Sequence, residues 1–464
     1  MRRFVFTLGI FMVLTANAEA ALEAGFASVD VTPPLKNKKL GYLAGFGHGR
    51  RATDVRDPIM ARGLVLKNAQ QKIALVCVDV VGLFLPFVDE VRSQLPEFAY
   101  IMISATHNHE GPDTLGMWGS TPFTSGQDEA YLKSLQKSLV QVIKDAERHC
   151  QQVTAEFGLV HAPELLNDSR LPLVIHDELV AIQFTRVGTR KPHGLLLRWN
   201  CHPETLGSKN TSMSSDFVAS TVAALSEKYQ CPVAYFTGTV GGLLSSLKVP
   251  IKDEHGTILK DGTFAKTEAY GRMVARTAEQ ALKQARPIRL EPFTIQRKQI
   301  LVPIDNRVFQ LGWSVGVLKR PIYIWEGSPD TAKPKPAQNL EKRTAIRTEV
   351  AHLQLGELDL AIIPGEIYSE LVLDKVQDPA DPNADFPTAP KEPGIHAALA
   401  SKYPLVIGLG NDEIGYIIPK RQWDEQSPYC YGLKQAQYGE INSCGPETAP
   451  IICATLRSLV RTRK

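Results

Sequence analysis

Two apolar rhythms alternate along this chain. Runs such as GFASVDV, YIMIS, VTAEFGLVHA, ELVAIQFTRV, HGLLLRWNC and PVAYFTG are β-rich and end at Pro, Gly or polar turns, which predicts strands. ARGLVLKNAQQKIALVCVDVVGL holds two such runs about a polar turn and reads as a hairpin-like pair. Other segments repeat apolar residues at spacings of three and four: VDEVRSQL, DEAYLKSLQKSLVQVIKDAERH, DFVASTVAALSEKY, TEAYGRMVARTAEQALKQA, EIYSELVLDKV and APIICATLRSLVRT. That spacing predicts helices. PFTIQRKQILVPI, TEVAHLQLGELDLAIIPGE and LVIGLGND return to strand patterning.

Strand and helix therefore alternate with hairpins mixed in, and no internal repeat is visible. The pattern predicts a mixed α/β (α+β) fold of helices layered on mixed β-sheets. The best linker candidate is the Pro- and Lys-rich stretch at 327–342, but the strands flanking it fit one sheet. A single large domain over 21–464 is expected.

Composition changes this picture little. Of 464 residues, 44% are apolar and 22% charged, which is ordinary for a globular protein with a large core. A net charge of +3 leaves no electrostatic footprint for nucleic acid. The N-terminus is more telling. MRRFVFTLGIFMVLTANAEA carries Arg2 and Arg3, an apolar stretch and then small residues, with an A-x-A site at Ala18-Glu19-Ala20 or Ala16-Asn17-Ala18. This is the pattern of a secretory signal peptide over 1–20, and it predicts a secreted or periplasmic protein. Seven cysteines occur and none forms a C-x-x-C pair, so no cysteine zinc site is signalled. In an exported chain, Cys430 with Cys444 or Cys453 is a candidate bridge.

Chemistry concentrates where apolar strands end, the rim at which sites form in such sheets. ISATHNHEG places His107 and His109 one residue apart, a pair that serves either the fold or a metal. LLLRWNCHPETLG repeats the pattern with His202. LDLAIIPGEIYSEL ends on Pro-Gly and then Glu366, which either complements a helix dipole or ligates a metal. LVIGLGNDEIGYIIP carries Asn411, Asp412, Glu413 and Tyr416. Two histidines and one carboxylate with an open position describe a catalytic rather than a structural zinc site.

In this order, SATHNHEGPD, RWNCHPETL with its SSD, IPGE and GNDEIGY resemble the neutral, non-lysosomal ceramidases. GYLAGFGHGRRATDVRDPIMARGLVL and YGEINSCGPETA resemble further segments of that family, so the likeness spans about residues 25–460. The resemblance implies a ceramidase catalytic-domain fold and a Zn2+ ion held by His107, His202, Glu366 and Tyr416. It implies His109 beside the scissile amide, Arg170 near the reacting carbonyl and Tyr438 as a further active-site tyrosine. YFTGTVGGLLSS matches the family's serine segment and so implies an active-site role for Ser245.

The chain departs from the family at Leu243, where the family has Asp, and at Asp113-Thr114, where it has Gly-Gly. The immunoglobulin-like C-terminal domain is also expected to be absent. The implied activity is zinc-assisted hydrolysis of an N-acyl amide, with ceramide or a related N-acyl lipid as substrate and peripheral membrane contact compatible with it. The alternatives are a zinc hydrolase of a smaller amide or ester and a non-catalytic zinc- or ligand-binding protein.

Overall fold

The structure, a computed structural model, describes residues 22–34, 41–399 and 401–461; the signal peptide expected over 1–20 lies outside them. The first half runs β1 (Glu23–Asp30), β2 (Asp54–Val55), β3 (Met60–Lys67), β4 (Lys72–Val78), α1 (Leu85–Ser93), β5 (Tyr100–Ala105), α2 (Glu129–Arg148), β6 (Gln151–His161), β7 (Glu178–Arg186), β8 (Pro192–Trp199), β9 (Ser212–Met213), α3 (Asp216–Tyr229), β10 (Val233–Thr237), α4 (Phe264–Lys283) and β11 (Arg286–Ile288). The second runs β12 (Phe293–Ile304), α5 (Arg307–Ser314), β13 (Ile322–Ile324), β14 (Thr344–Leu355), β15 (Leu358–Ile362), β16 (Glu366–Ile367), α6 (Ser369–Leu373), α7 (Ile395–Leu399), β17 (Tyr403–Ile407), β18 (Tyr416–Ile417) and α8 (Thr448–Arg461).

These elements form two principal sheets. The first has the order β10-β8-β7-β6-β1-β3-β4-β5 with β11 added on β6; the second is β12-β14-β15-β17 with β13 added on β14. Both mix strand directions: β4–β5, β8–β10 and β15–β17 are parallel pairs, and the hairpins are antiparallel.

The period of two decides the layering. Leu64 and Leu66 of β3, Leu75 of β4 and Ile182 of β7 share one core with Leu353, Leu360 and Leu405 of the second sheet. The two sheets therefore pack face to face. Their alternate residues turn outward: Val65 and Val76 meet α1 and α2, Leu197 and Tyr235 meet α3 and α4, and Val406 meets the layer of α6, α7 and α8. The result is four layers, helix–sheet–sheet–helix, the mixed α/β architecture expected. The amphipathic pattern of α2 is met by burial of Leu135, Leu139 and Val142, and its N-terminus is closed by Asp128, whose side chain accepts the Ala130 and Tyr131 N–H groups.

The stretch at 327–342 doubles back along β13, where Ala337 N donates to Ile322 O, and both flanking strands join one sheet. Two expectations are corrected. The helix expected over EIYSELVLDKV shrinks to five residues, because Glu366 and Ile367 pair with β18 instead. The candidate bridge from Cys430 to Cys444 or Cys453 is not formed; all seven cysteines are free thiols. Cys444 Sγ donates instead to Ile414 O, and the Cys430 backbone N–H donates to Asp424.

Candidate metal centre

Four strand ends converge at one rim. β5 leads directly to His107, whose positive φ of 65° turns its ring out of the strand direction. The loop is pinned on both sides: Thr106 N donates to Val78 O, Asn108 N to Val80 O and His109 N to Pro203 O. His202 follows β8, and its main chain bridges to Ser245. Glu366 opens β16 after Pro364-Gly365 and is the register partner of Tyr416 on β18. The rings of His107 and His202 stand 4.9 Å apart and nearly perpendicular. His107, His202 and Glu366 are all buried.

The hydrogen bonds fix which atoms face the centre. His107 Nδ1 donates to Val81 O at 2.7 Å, and His202 Nδ1 donates to Leu244 O at 2.9 Å. In the neutral rings both Nε2 atoms are then bare acceptors. They approach Glu366 Oε2, itself an acceptor, at 3.2 and 2.9 Å. Three acceptors converging this closely repel one another unless a proton or a cation sits among them. A tetrahedral zinc site with bonds of about 2.0–2.1 Å has donor–donor edges of about 3.3 Å, close to these separations. The donor set fits zinc, and backbone carbonyls supply the outer partners that fix each imidazole.

Charge follows the same geometry. Burial disfavours imidazolium at His107 and His202, but Glu366 overrides it and raises both, His202 to about 8. Burial would raise Glu366, yet the two imidazoles pull its carboxyl well below the usual range. His109 is held well below the ordinary histidine value by burial and by its two histidine neighbours. Glu413 is pushed far up by burial and by Glu366, and Tyr416 likewise.

A cavity of about 310 Å³ opens beside this centre, within the range of ligand pockets. His107, His109, Glu366, Glu413, Tyr416 and Tyr438 form its polar end; Phe84, Leu115, Trp118, Phe309, Trp313 and Ile346 line the rest. His109 is packed edge-on against Phe46 and lies over Gly45, where a Cβ would fall 2.5 Å from the ring. Its Nδ1 is 3.5 Å from Glu204 Oε2.

The structure thus brings together His107, His109, His202, Glu366, Tyr416 and Tyr438. It does not bring Arg170 or Ser245 to the cavity wall. Arg170 is buried and grips Glu440 with both ends of its guanidinium, at 2.6 and 2.9 Å, while donating to Tyr438 O and Gln422 O. It anchors the loop that carries Tyr438 and does not line the cavity, although its Nε is left without a partner. Ser245 lies behind His202, where its Oγ accepts the Leu247 N–H and its main chain pairs with Asn167. Glu204 was visible in the sequence, two residues after His202, but nothing in the pattern singled it out.

No family model matches the chain, and no curated protein is recognisably similar to it in sequence. Two solved structures are similar in fold. The neutral ceramidase of Pseudomonas aeruginosa superposes with a TM-score of 0.71 at 14% identity, covering 95% of this chain and 74% of that one. A ceramidase complexed with C2 superposes with a TM-score of 0.69 at 14% identity, covering 96% and 76%. Across nearly its whole length, then, the chain has a ceramidase-like fold, with a His and Glu cluster at its sheet rim capable of holding a metal ion.

Proposed function

We propose that this protein is a zinc-dependent amidohydrolase that cleaves an N-acyl amide bearing a long apolar chain, ceramide or a related N-acyl lipid. One observation carries the reading: two bare imidazole nitrogens converge on a buried carboxylate oxygen at the closed polar end of an apolar cavity. His107, His202 and Glu366 would hold the zinc, with the Tyr416 phenol as the oxygen donor on the neighbouring strand. When bound, zinc supplies a nucleophilic water near neutral pH and polarises the scissile carbonyl.

The chain's own residues supply the rest. His109, kept neutral by burial, would take a proton from the attacking water on its bare ring nitrogen and then give it to the departing amine nitrogen. Glu204 lies on the Nδ1 side of that ring, and Phe46 packs edge-on against it. The Tyr438 hydroxyl, which accepts from Asn442 and keeps its own proton free, would donate to the developing oxyanion. The aromatic and aliphatic wall excludes water and takes the acyl chain; a small amide or ester would leave most of it unfilled.

The mouth of the cavity supports a lipid source for the substrate. Phe46, Val308, Leu311, Val315, Tyr438 and Ile441 are between 36% and 53% exposed, and several of them also line the cavity. An exposed apolar rim of this kind suits shallow insertion at a lipid surface. No helix among the described residues is long and apolar enough to cross a membrane. The N-terminal Arg-Arg and apolar pattern supports export. The test is hydrolysis by the zinc-loaded protein of a panel of N-acyl amides and esters of graded chain length, with products read by mass spectrometry. Long-chain amides should be cleaved and His109→Ala should abolish it; no cleavage of any member, with no effect of His109→Ala, removes the reading.

A further inference from the structure

We infer that His176, Glu178 and His396 form a second divalent-cation site, of a chemistry suited to Zn2+, away from the cavity described above. None of the three lines that cavity. His176 lies in the loop before β7, Glu178 is the first residue of β7, and His396 comes from α7 on the far side of the second sheet. One donor atom from each falls within 4.8 Å of the others.

The construction differs from the first centre in one respect: the His176 Nδ1 faces a hydroxyl, which can give or take a proton, and not a carbonyl, which only accepts. His176 is fully buried, and its Nδ1 shares a hydrogen bond with Thr239 Oγ1 at 2.9 Å. That tether directs Nε2 to Glu178 Oε2, 3.1 Å away. The His396 ring stands 5.4 Å from the His176 ring at 84°. Its Nε2 is buried and has no hydrogen-bond partner. A buried polar atom left unmatched is costly, and a cation between the two rings would match it.

One group opposes the cation. The Arg198 guanidinium is fully buried, with Nη2 3.7 Å from Glu178 Oε2. It is anchored by Nη1 to Glu178 O and Asn200 Oδ1, so it cannot swing away. A fixed positive charge weakens the site, and the second equivalent of zinc should therefore bind less tightly than the first. Its effect is to tie the start of β7 to α7, joining the two halves of the molecule.

The full-length protein, stripped with chelator, is titrated with Zn2+ and its zinc content read by elemental analysis and calorimetry. Wild type should take up two equivalents in two steps, and His396→Ala and His396→Gln one, the tighter. His107→Ala should lose the tight step and keep the weak one. A single equivalent in wild type, or two in either His396 variant, overturns the site. The count needs no substrate, so it stands apart from the hydrolase reading.

Discussion

Replacing Arg170 separates a structural role from a chemical one. Its guanidinium makes four hydrogen bonds, two to the Glu440 carboxylate and one each to Tyr438 O and Gln422 O. Both charged side chains are 2–3% exposed. Arg170→Leu strands a carboxylate in that environment, and breaking a buried pair from one side costs about 3–5 kcal/mol. Glu440 also accepts the Asp424 N–H, so removing both partners is not free of cost either. Even so, Arg170→Leu/Glu440→Leu should be no less stable than Arg170→Leu, because no uncompensated charge remains. Urea unfolding followed by tryptophan fluorescence measures both, with zinc content checked alongside. Turnover of the single variant should fall through a displaced Tyr438 loop, and the double variant should recover part of it. If Arg170→Leu unfolds within about 0.5 kcal/mol of wild type, the ordinary range for neutral surface changes, while turnover collapses, Arg170 acts on the substrate and the reasoning fails.

Three further outcomes are expected. Glu366→Gln keeps the shape but removes the charge between two imidazoles, so zinc retention through dialysis should drop by at least about tenfold, the lower bound for losing even an outer-sphere partner; unchanged zinc content would move the metal elsewhere. In the stripped protein His202 sits at about 8 against an unfolded value near 6.5. A raised folded value stabilises fully below about pH 6.5 and is lost as pH rises through about 8, so the urea midpoint should fall across that window, and a flat profile there would count against the Glu366 contact. Leu311→Asp with Val315→Asp should reduce sedimentation with phosphatidylcholine vesicles several-fold while zinc content and cleavage of a soluble short-chain amide stay constant; undiminished sedimentation would place the lipid contact on another face.

Much of the centre was legible in the sequence because it is built from local punctuation. An apolar run stopping at a histidine, as at Ile103 to His107 and Leu197 to His202, marks a strand end, and Pro364-Gly365 marks where Glu366 leaves its strand. Sheet architecture then gathers such ends at one rim. The place of Arg170 is set by Glu440, 270 residues away, and no local pattern reports that pairing. Helix α5 carried a readable signal: Asn306 caps it by accepting the Val308 and Phe309 N–H groups. Its eight residues are too few for periodicity to stand out from the flanking strands. The candidate cysteine bridge failed for a related reason, since burial in an apolar core and not sequence proximity decides where Cys444 and Cys453 lie.

The segment at Asp113-Thr114, where the sequence departs from the ceramidases it resembles, shapes one wall of the cavity. Neither residue is turned to solvent. The Asp113 carboxylate is buried and accepts the N–H groups of Leu115, Gly116 and Trp118 at 2.6–3.0 Å. The Thr114 hydroxyl donates to Gly82 O, and its carbonyl accepts from Gln127 Nε2. A carboxylate that gathers three amides folds the following residues into one tight turn, as an Asx cap does at a helix start. That turn sets Leu115, Met117 and Trp118 against the cavity. Glu110, just before it, is locked to Arg50 at 2.8 Å, and Arg50 in turn holds the His109 carbonyl. Glu110 and Asp113 are thus both engaged in holding this segment in one conformation, and Asp113 fixes a stretch of cavity wall that packs beside Leu318, just after α5.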